Sequence, residues 1–517
     1  MRVGYWELRM APLGNKPTVV YALDSADLDL LERWMAEGTL PHIAELWRNS
    51  ARRRIGGPGY WDEIGTWITA YSGVPATRHG YYSARRLKPG TYDFETIPLT
   101  AARARPCWES VQDPHFRALI LEPIETVPSP HTAGAQLYNL TVHQEGYAEA
   151  PVVAIPREVE EQVARIYGKR RIPPFDRFHE SLSFYQEQME TNLDMTRRKG
   201  QLFCELIRRN EFDLLVAGIN LHDIVHVLWP FQEGRSDPRD PEGQLAHGVR
   251  LFYEAADREI GEIQQLLPSG STEVLLSLYG LKDQYPTQEL STRLMELLGY
   301  HAPLARTGGS WDPLGIARRV LPEPWRFELS QGLPVRWQQT LLRSAFAQSM
   351  DFRRSPAFVL PNSLFTAYIR VNLKGREPTG CVAPGRDYEG LLDEIESEFR
   401  SVIDPVTGEP AVSAVLRTAN AFIDGPSELL PDLYVHWKSS RHFLHRAIHP
   451  KGEVKQRPTH FFRDSYHRAP GFAAFKGPGI EPGWFEESSI LDIAPTLMGL
   501  LGESPSASMP GRDLLAS

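Results

Sequence analysis

Short apolar runs of strand length alternate with segments of helical pattern along most of the chain. Strands are predicted at five runs: residues 18–23, 117–122, 212–217, 273–279 and 432–437. Helices are predicted between and after them, at residues 28–35, 175–209, 248–267, 290–298 and 489–502. Strands that alternate with helices of this length are typical of α/β proteins, so we predict a doubly wound, mostly parallel central sheet with helices on both faces.

One stretch, from about residue 301 to residue 410, departs from this alternation. It holds a strand-like segment at residues 368–380, a predicted helix at residues 387–399 and a turn at residues 404–408. We interpret it as an inserted, smaller α+β subdomain. The core would then consist of residues 17–300 and residues 411–517.

Composition and charge narrow the class of protein. The 517 residues are 42% hydrophobic and 23% charged, which is ordinary for a globular protein, and the net charge of −9 argues against binding to a nucleic-acid backbone. Cys107, Cys204 and Cys381 form no disulfide pattern. Residues 1–17 show no signal peptide, and no apolar run reaches membrane-spanning length. We therefore expect a cytoplasmic protein without a membrane or nucleic-acid partner.

An acid stands at the carboxyl end of the first predicted strand. In open α/β sheets, ligands bind at that end, which makes Asp24 a candidate site residue. The alternative is a structural role as the N-cap of the following helix, because Ser25 and Asp27 also precede its first turn.

Two histidines follow the predicted strand at residues 212–217. His222 and His226 are four residues apart, so one helical turn would place both imidazoles on one face, where they can close on a metal ion. The alternative is a polar helix start at which Asp223 is the cap and both histidines face solvent.

Six segments, in this order, resemble the alkaline phosphatase superfamily, and above all its branch of type I phosphodiesterases and nucleotide pyrophosphatases. The resemblance runs from about Pro17 to the end of the chain. The segments are YALDSADLDLLERWMAEGTLPHIAELWRN, TWITAYSGVPATRHG, FDLLVAGINLHDIVHVLW, YIRVNLKGREPTG, YHRAPGFAAFKGPGI and DIAPTLMGLLG.

The resemblance implies a site with two metal ions, usually zinc. An Asp, a Thr or Ser nucleophile and an Asp-His pair serve one ion, while an Asp, a His four residues later and a late His serve the other. Such a pair of ions clamps the attacking and leaving oxygens of phosphoryl transfer, which proceeds through a phospho-enzyme.

The first of these two metal positions is altered in this chain. Asp24 matches the first Asp, but the nucleophile position, ten residues before Gly73, holds Glu63. Leu278 and Tyr279 stand where the Asp-His pair belongs, and leucine has no donor atom. Two carboxylates are too few ligands for a closed zinc site, so a two-metal site is not expected.

The second metal position keeps more of its ligands. His222 replaces the family's Asp, His226 matches the His four residues later, and His467 matches the late His. Asp223 lies one residue off and is a weaker candidate. Three imidazoles with an open fourth position suit one catalytic divalent ion, for which zinc is favoured and iron or manganese are alternatives. Alternatively, His222 and His467 are relics that are hydrogen-bonded in a pocket without a metal.

The remaining candidates surround the nucleophile position. Glu63 is a metal ligand, a general base or a charge that repels phosphate. Tyr279 is a proton donor or a packed aromatic residue. Asp24 completes the predicted catalytic group, and Thr66 and Trp67 are predicted to line the substrate pocket.

Three functions follow from these alternatives. We favour a repurposed enzyme with one metal or none, which hydrolyses an ester-like small molecule or transfers a group from it, either as a monomer or as a homo-oligomer. The second is a pseudoenzyme that binds a ligand or partner. The third is a type I phosphodiesterase with shifted ligands, for which Asp223 and Asp283 are available.

Overall fold

A computed structural model of the chain describes most of its length. The described residues are 16–57, 65–141, 151–169, 180–304, 321, 346, 350–361, 363–425, 427–458 and 463–516, without the side chains of His222 and Asp223.

The described strands follow one another along the whole chain. They are β1 Thr18–Asp24, β2 Ala51–Gly56, β3 Arg85–Leu87, β4 Phe94–Thr96, β5 Ala118–Leu121, β6 Gly134–Tyr138, β7 Val153–Ile155, β8 Leu214–Asn220, β9 Thr272–Ser277, β10 Gly280–Asp283, β11 Ala357–Leu360, β12 Thr366–Val371, β13 Val412–Arg417, β14 Leu433–Trp437, β15 Arg446–His449, β16 Gly452–Lys455, β17 Ser465–Arg468, β18 Gly471–Lys476, β19 Gly483–Trp484 and β20 Ser488–Ser489.

The described α-helices lie between these strands. They are α1 Leu28–Ala36, α2 Pro41–Arg48, α3 Thr66–Ser72, α4 Ala76–His79, α5 Arg157–Gln162, α6 Leu182–Arg209, α7 His222–Leu228, α8 Gly248–Gln264, α9 Gln288–Leu297, α10 Arg386–Arg400, α11 Thr418–Ala421 and α12 Ile493–Leu500. Single helical turns of other types occur at Leu99–Ala101, Cys107–Ser110, Val163–Tyr167, Trp229–Phe231, Phe352–Arg354 and Ile490–Asp492.

The central sheet has ten strands within the described residues. Its order is β19-β2-β18-β9-β1-β8-β5-β6-β7, and β20 also pairs with β2. Parallel pairing joins β9, β1, β8, β5 and β6, while β18 and β7 run antiparallel to their neighbours. The mostly parallel α/β sheet predicted from the alternating pattern is therefore confirmed.

Both faces of this sheet are covered. In β1, Val19 and Tyr21 point into the core that is formed with α1, α2, α6 and α8, whereas Val20 and Ala22 point into the core that is formed with α3 and α12. Alternate side chains of a strand point to opposite faces, so a strand that is buried on both sides reads as a continuous apolar run. This is why β1 is recognisable in the sequence.

Two strands end at other positions than their apolar runs suggest. β8 continues to Asn220, beyond residue 217, because it stays in parallel register with β1 as far as the pair of Asp24 and Asn220. β9 ends at Ser277, before residue 279, because the chain then turns into β10, which pairs with β17 instead of with the central sheet. Both differences lie at the carboxyl edge, where the candidate site residues are found.

A second, antiparallel sheet has the order β11-β12-β14-β13. Its core includes apolar residues of α9 and α10. The strand predicted at residues 432–437 is present as β14, which hydrogen-bonds to β12 and β13 of this second sheet. The second sheet thus extends beyond residue 410, the predicted end of the inserted subdomain.

The longest described helix, α6, has 28 residues but carries polar residues along its whole length. It begins at Leu182, whereas residues 175–179 of the predicted helix lie outside the described part of the chain. Among the described helices, none has the length and hydropathy that crossing a membrane requires.

Candidate functional site

A hydrogen-bonded chain joins three candidate residues at the carboxyl edge of the sheet. The Tyr279 hydroxyl donates to Asp24 Oδ1 at 2.9 Å and accepts from Trp67 Nε1 at 3.1 Å. All three side chains are buried. The tyrosine that stands in place of the family's Asp-His pair therefore binds the carboxylate that the resemblance makes a metal ligand.

The turn after β9 directs Tyr279 towards Asp24. Ser277 Oγ accepts from the amide of Ala26 at 3.1 Å and donates to the carbonyl of Tyr279 at 3.1 Å. A Cβ atom on Gly280 would lie 2.5 Å from Asp27 Oδ2 and 3.1 Å from Asp27 Cα, so only glycine fits there. The alternative of Tyr279 as a packed aromatic residue is thus half correct, since Tyr279 packs and also makes two hydrogen bonds.

Asp27, and not Asp24, caps α1. Its Oδ1 accepts from the amide of Leu30 at 3.2 Å, and its Oδ2 accepts from the amide of Leu281 at 3.1 Å and from Arg468 Nη2 at 2.8 Å. Burial raises the pKa of Asp27, and the charge of Arg468 opposes that rise. The N-cap alternative for Asp24 is therefore wrong, because the capping carboxylate comes from three residues later in the chain.

The two candidate histidines with described side chains lie side by side. β17 places His467 opposite Leu281 of β10, and the His467 ring lies 4.1 Å from the Tyr279 ring between centroids. His226, on α7, is 1% exposed, and its ring centroid lies 5.1 Å from that of His467. Its Nδ1 is 2.7 Å from Ser465 Oγ. Residues more than 200 positions apart thus form one buried cluster.

The described side chains at the expected metal positions are Asp24, Leu278, Tyr279, His226 and His467. Leu278 is fully buried in the apolar core, and Asp24 already accepts the Tyr279 hydroxyl. Within the described residues, no group of three or more His, Cys, Asp or Glu side chains is arranged to hold a metal ion. Glu63 and the side chains of His222 and Asp223 lie outside those residues, so the three-histidine ligand set stays a prediction.

A carboxylate that the sequence did not reveal sits on the first turn of α3. Glu125 accepts from the amide of Gly65 at 2.8 Å and from the amide of Trp67 at 3.0 Å. The indole of Trp67 and the side chain of Thr66 are buried at the same turn. Glu125 falls in an irregular, proline-rich stretch without periodicity, so no local pattern connects it to a helix about sixty residues earlier.

Two acidic residues, Asp24 and Glu125, affect the pKa of the buried Tyr71. Burial raises the pKa of Tyr71 well above its ordinary value, the charge of Asp24 adds to the rise, and Glu125 adds a smaller part. The raised pKa of Tyr71 therefore includes the effect of two carboxylates.

We expect Glu125→Ala to lower the free energy of unfolding by about 2 kcal/mol, because two amides of the first turn of α3 lose their acceptor. Equilibrium denaturation in urea measures this change. Glu109→Ala, at a half-buried glutamate elsewhere in the same core region, is the control and should change stability by less. Equal effects of the two substitutions would contradict a capping role for Glu125.

Comparison with solved structures finds likenesses over nearly the whole chain. Phosphonoacetate hydrolase from Sinorhizobium meliloti 1021, in complexes with phosphonoformate and with phosphonoacetate, is 13% identical, with 94% of this chain and 95% of that chain covered and a TM-score of 0.47. Murine ectonucleotide pyrophosphatase/phosphodiesterase 5, as an inactive form in complex with AMP, is 11% identical, with 96% and 97% covered and a TM-score of 0.46.

No protein-family model and no curated protein matches the chain.

Proposed function

We propose that the protein is a hydrolase or group transferase for an ester-like small molecule, which works without the two-metal phospho-enzyme mechanism of the superfamily that it resembles. The observation that carries this proposal is the hydrogen bond from the Tyr279 hydroxyl to Asp24 Oδ1. Asp24, the first expected metal ligand, is thereby hydrogen-bonded to the Tyr279 hydroxyl. Displacing this hydroxyl would cost the free energy of a buried hydrogen bond.

The charges near the site favour a neutral substrate over a phosphate dianion. Glu125 accepts from the amide of Trp67, whose indole donates to the Tyr279 hydroxyl that is hydrogen-bonded to Asp24, so two carboxylates lie at one side of the site. A carboxylate repels an anionic substrate unless cations lie between them. A neutral carboxylic ester carries no such penalty, and its reactive carbon needs only a nucleophile and proton transfer.

The two adjacent imidazoles supply groups for proton transfer. In ester hydrolysis, one imidazole takes a proton from water as the water oxygen attacks the carbonyl carbon, and the resulting imidazolium gives that proton to the alkoxide as the bond between the carbonyl carbon and the alkoxide oxygen breaks. Ser465 fixes the ring of His226 through Nδ1, in the way that an orienting residue holds a catalytic base. The His467 ring contacts the ring of Tyr279, so His467 lies next to the hydrogen-bonded chain of Asp24, Tyr279 and Trp67.

A one-metal version of this proposal adds His222 to His226 and His467 as ligands. A divalent ion in such a set lowers the pKa of bound water towards neutrality. Zinc is the favoured ion, with iron or manganese as alternatives. Metal analysis of protein expressed in metal-supplemented medium separates the version with one metal from the version with none. A content far below one ion per chain would exclude the one-metal version.

The pseudoenzyme is the second candidate, and one observation favours it. Glu125 accepts hydrogen bonds from the amides at the first turn of α3, and the Tyr279 hydroxyl donates one to Asp24. Groups of the protein itself therefore occupy positions that a substrate would use. A binding protein on this fold needs none of these positions free.

The shifted-ligand phosphodiesterase has less support. Asp283 accepts from Trp229 Nε1 at 2.9 Å and from Arg235 Nη1 at 2.5 Å, and its second oxygen lies 3.2 Å from Arg441 Nε. Its carboxylate is thus committed to three donors. Asp223 is the remaining candidate, and its side chain is not among those described.

The test compares p-nitrophenyl butyrate with bis-(p-nitrophenyl) phosphate as substrates, with and without zinc. We expect turnover of the carboxylic ester and a fall of about a hundredfold in kcat/KM for His467→Ala, the magnitude typical of a lost acid–base group. His247→Gln, at a histidine with a 64% exposed side chain, is the control for hydrolysis by surface imidazoles.

Two results would overturn the proposal. Strong zinc-dependent turnover of the phosphodiester would establish the shifted-ligand enzyme. Absence of turnover on a panel of esters and lactones, with a folded protein, would establish the pseudoenzyme.

A further inference from the structure

We propose that a cavity between β10 and the second sheet binds a small organic carboxylate that also carries a hydrogen-bond donor. The cavity has a volume of about 300 Å³ and is lined by residues that follow β10, α10 and β14. Its lining does not include the residues around Asp24 and His467, so the inference is independent of the proposed function.

A buried acceptor without a partner points to the ligand. Gln284 is 3% exposed and lines the cavity, and its backbone amide is held by the carbonyl of Asp464 at 3.2 Å. Its Oε1 makes no hydrogen bond within the described residues. Buried polar atoms are nearly always paired with protein or with ordered water, so Gln284 Oε1 offers an acceptor to an O–H or N–H group of a bound molecule.

Two cations face the same cavity. Arg441 is held there by Asp283, which lies 3.2 Å from its Nε and is shared with Arg235. Lys438 comes directly after β14 and makes no ion pair with any of the described carboxylates. A ligand carboxylate beside these two residues would pair with Lys438 and would add a second anionic partner to Arg441.

The acidic residues of the lining limit the ligand to a single negative charge. Asp404 Oδ2 lies 2.9 Å from His442 Nε2, and its Oδ1 accepts from the amide of Val406 at 2.9 Å. Glu409 also lines the cavity and makes no ion pair with a described residue. A second anionic group would meet Glu409, whereas an N–H or O–H donor would be attracted to it.

The remaining walls suit a flat apolar body. Tyr285, Pro410 and Leu444 line the cavity, and Trp437 contributes its ring while its Nε1 donates to Ser291 Oγ at 3.1 Å. Burial raises the pKa of Tyr285 to about 12, so its hydroxyl keeps its proton. A volume of this size lies at the small end of ligand sites, which points to a molecule of one ring.

A catalytic role for Ser440 in this cavity is not supported by its hydrogen bonds. Its Oγ lies 2.9 Å from His442 Nδ1, and Asp404 lies beyond that ring, as in a Ser-His-Asp arrangement. The same hydroxyl, however, also donates to the carbonyl of His442 at 2.9 Å and accepts from its amide at 3.1 Å. Ser440 is thus tied into its own turn, and the cavity is a binding site.

The experiment is calorimetric titration of the full-length protein with 4-hydroxyphenylacetate, which combines one ring, one carboxylate and one O–H donor. We expect saturable binding, and at least about tenfold weaker binding of the uncharged 4-hydroxyphenylacetamide, because the amide loses a charge-assisted contact. Lys438→Met should weaken binding of the acid by a similar factor. Lys374→Met, at an exposed lysine outside the cavity, should leave it unchanged.

Gln284→Leu gives a readout that does not depend on the probe. It removes an unpaired buried acceptor at similar shape, so Tm should stay constant or rise while binding of the acid falls by about tenfold. No saturable binding of the acid, equal binding of acid and amide, unchanged binding in Lys438→Met, or a fall in Tm for Gln284→Leu would each overturn the inference. His467→Ala should leave binding of the carboxylate intact. A failure of the proposed hydrolase or transferase function is therefore distinguishable from a failure of carboxylate binding.

Discussion

Replacing Tyr279 by phenylalanine is expected to lower the free energy of unfolding by about 3 kcal/mol. The substitution keeps the ring but removes the hydroxyl that lies between Asp24 Oδ1, at 2.9 Å, and Trp67 Nε1, at 3.1 Å. A buried donor and a buried carboxylate then each lose a partner, and such losses cost about 1–3 kcal/mol apiece. Urea denaturation at neutral pH measures the change.

A double-mutant cycle shows whether the loss belongs to this hydrogen bond. Asp24→Asn removes the charge from the acceptor, so Tyr279→Phe should cost less in that background, by about 1 kcal/mol or more. Tyr92→Phe, at a half-buried tyrosine that hydrogen-bonds to Asn372 in the second sheet, is the control and should be additive with Asp24→Asn. Additive effects of Tyr279→Phe and Asp24→Asn would show that the two residues are not coupled.

The second large effect concerns pH and His79. Burial lowers the pKa of this histidine from 6.5 to about 3. The folded protein therefore holds His79 neutral at pH values where the unfolded chain binds a proton. Stability from this residue is complete above about pH 6.5 and is lost as pH falls towards the folded value, by about 1.4 kcal/mol per pH unit.

The structure explains why His79 has to stay neutral. Its Nδ1 accepts from the amide of Tyr81 at 3.1 Å, and its Nε2 lies 3.0 Å from Thr69 Oγ1 on α3. A proton on Nδ1 would remove the acceptor for the Tyr81 amide. Since α3 carries Thr66 and Trp67, charging of His79 disturbs the helix that borders the candidate site.

The measurement is the stability of the wild type and of His79→Gln from about pH 7 to pH 5. The variant lacks the titrating group, so it should be the less stable protein at pH 7. The difference in free energy of unfolding between the wild type and the variant should then narrow by about 1.4 kcal/mol for each pH unit below about 6.5. His115→Gln, at an exposed histidine, should give a curve parallel to the wild type. A parallel curve for His79→Gln would show that His79 does not have a lowered pKa.

The contacts around Asp24 support the proposal that this α/β sheet carries a chemistry other than the two-metal mechanism. Fold alone does not determine function, so the proposal depends on the particular atoms around Tyr279, His226 and His467. The cavity near Gln284 offers a second place where a small molecule can be recognised.

The sequence by itself determined the fold class and several of the candidate site residues. Strands such as β1 and β5 are buried on both faces, so their apolar runs are visible without any partner strand. Asp24 was recognisable as a residue at a carboxyl strand end, and Leu278 showed that one expected ligand pair has no donor atom at its first position.

Only the tertiary structure decided which groups meet. Asp24 and Tyr279 are 255 residues apart, and they become hydrogen-bonded because β1 and β9 are neighbours in the sheet. Glu125 reaches α3 from an aperiodic segment, and β14 pairs with β12 across the predicted subdomain boundary. Periodicity records how a segment is buried, but it carries no information about which distant segment lies beside it, and that neighbour sets the chemistry of each polar group.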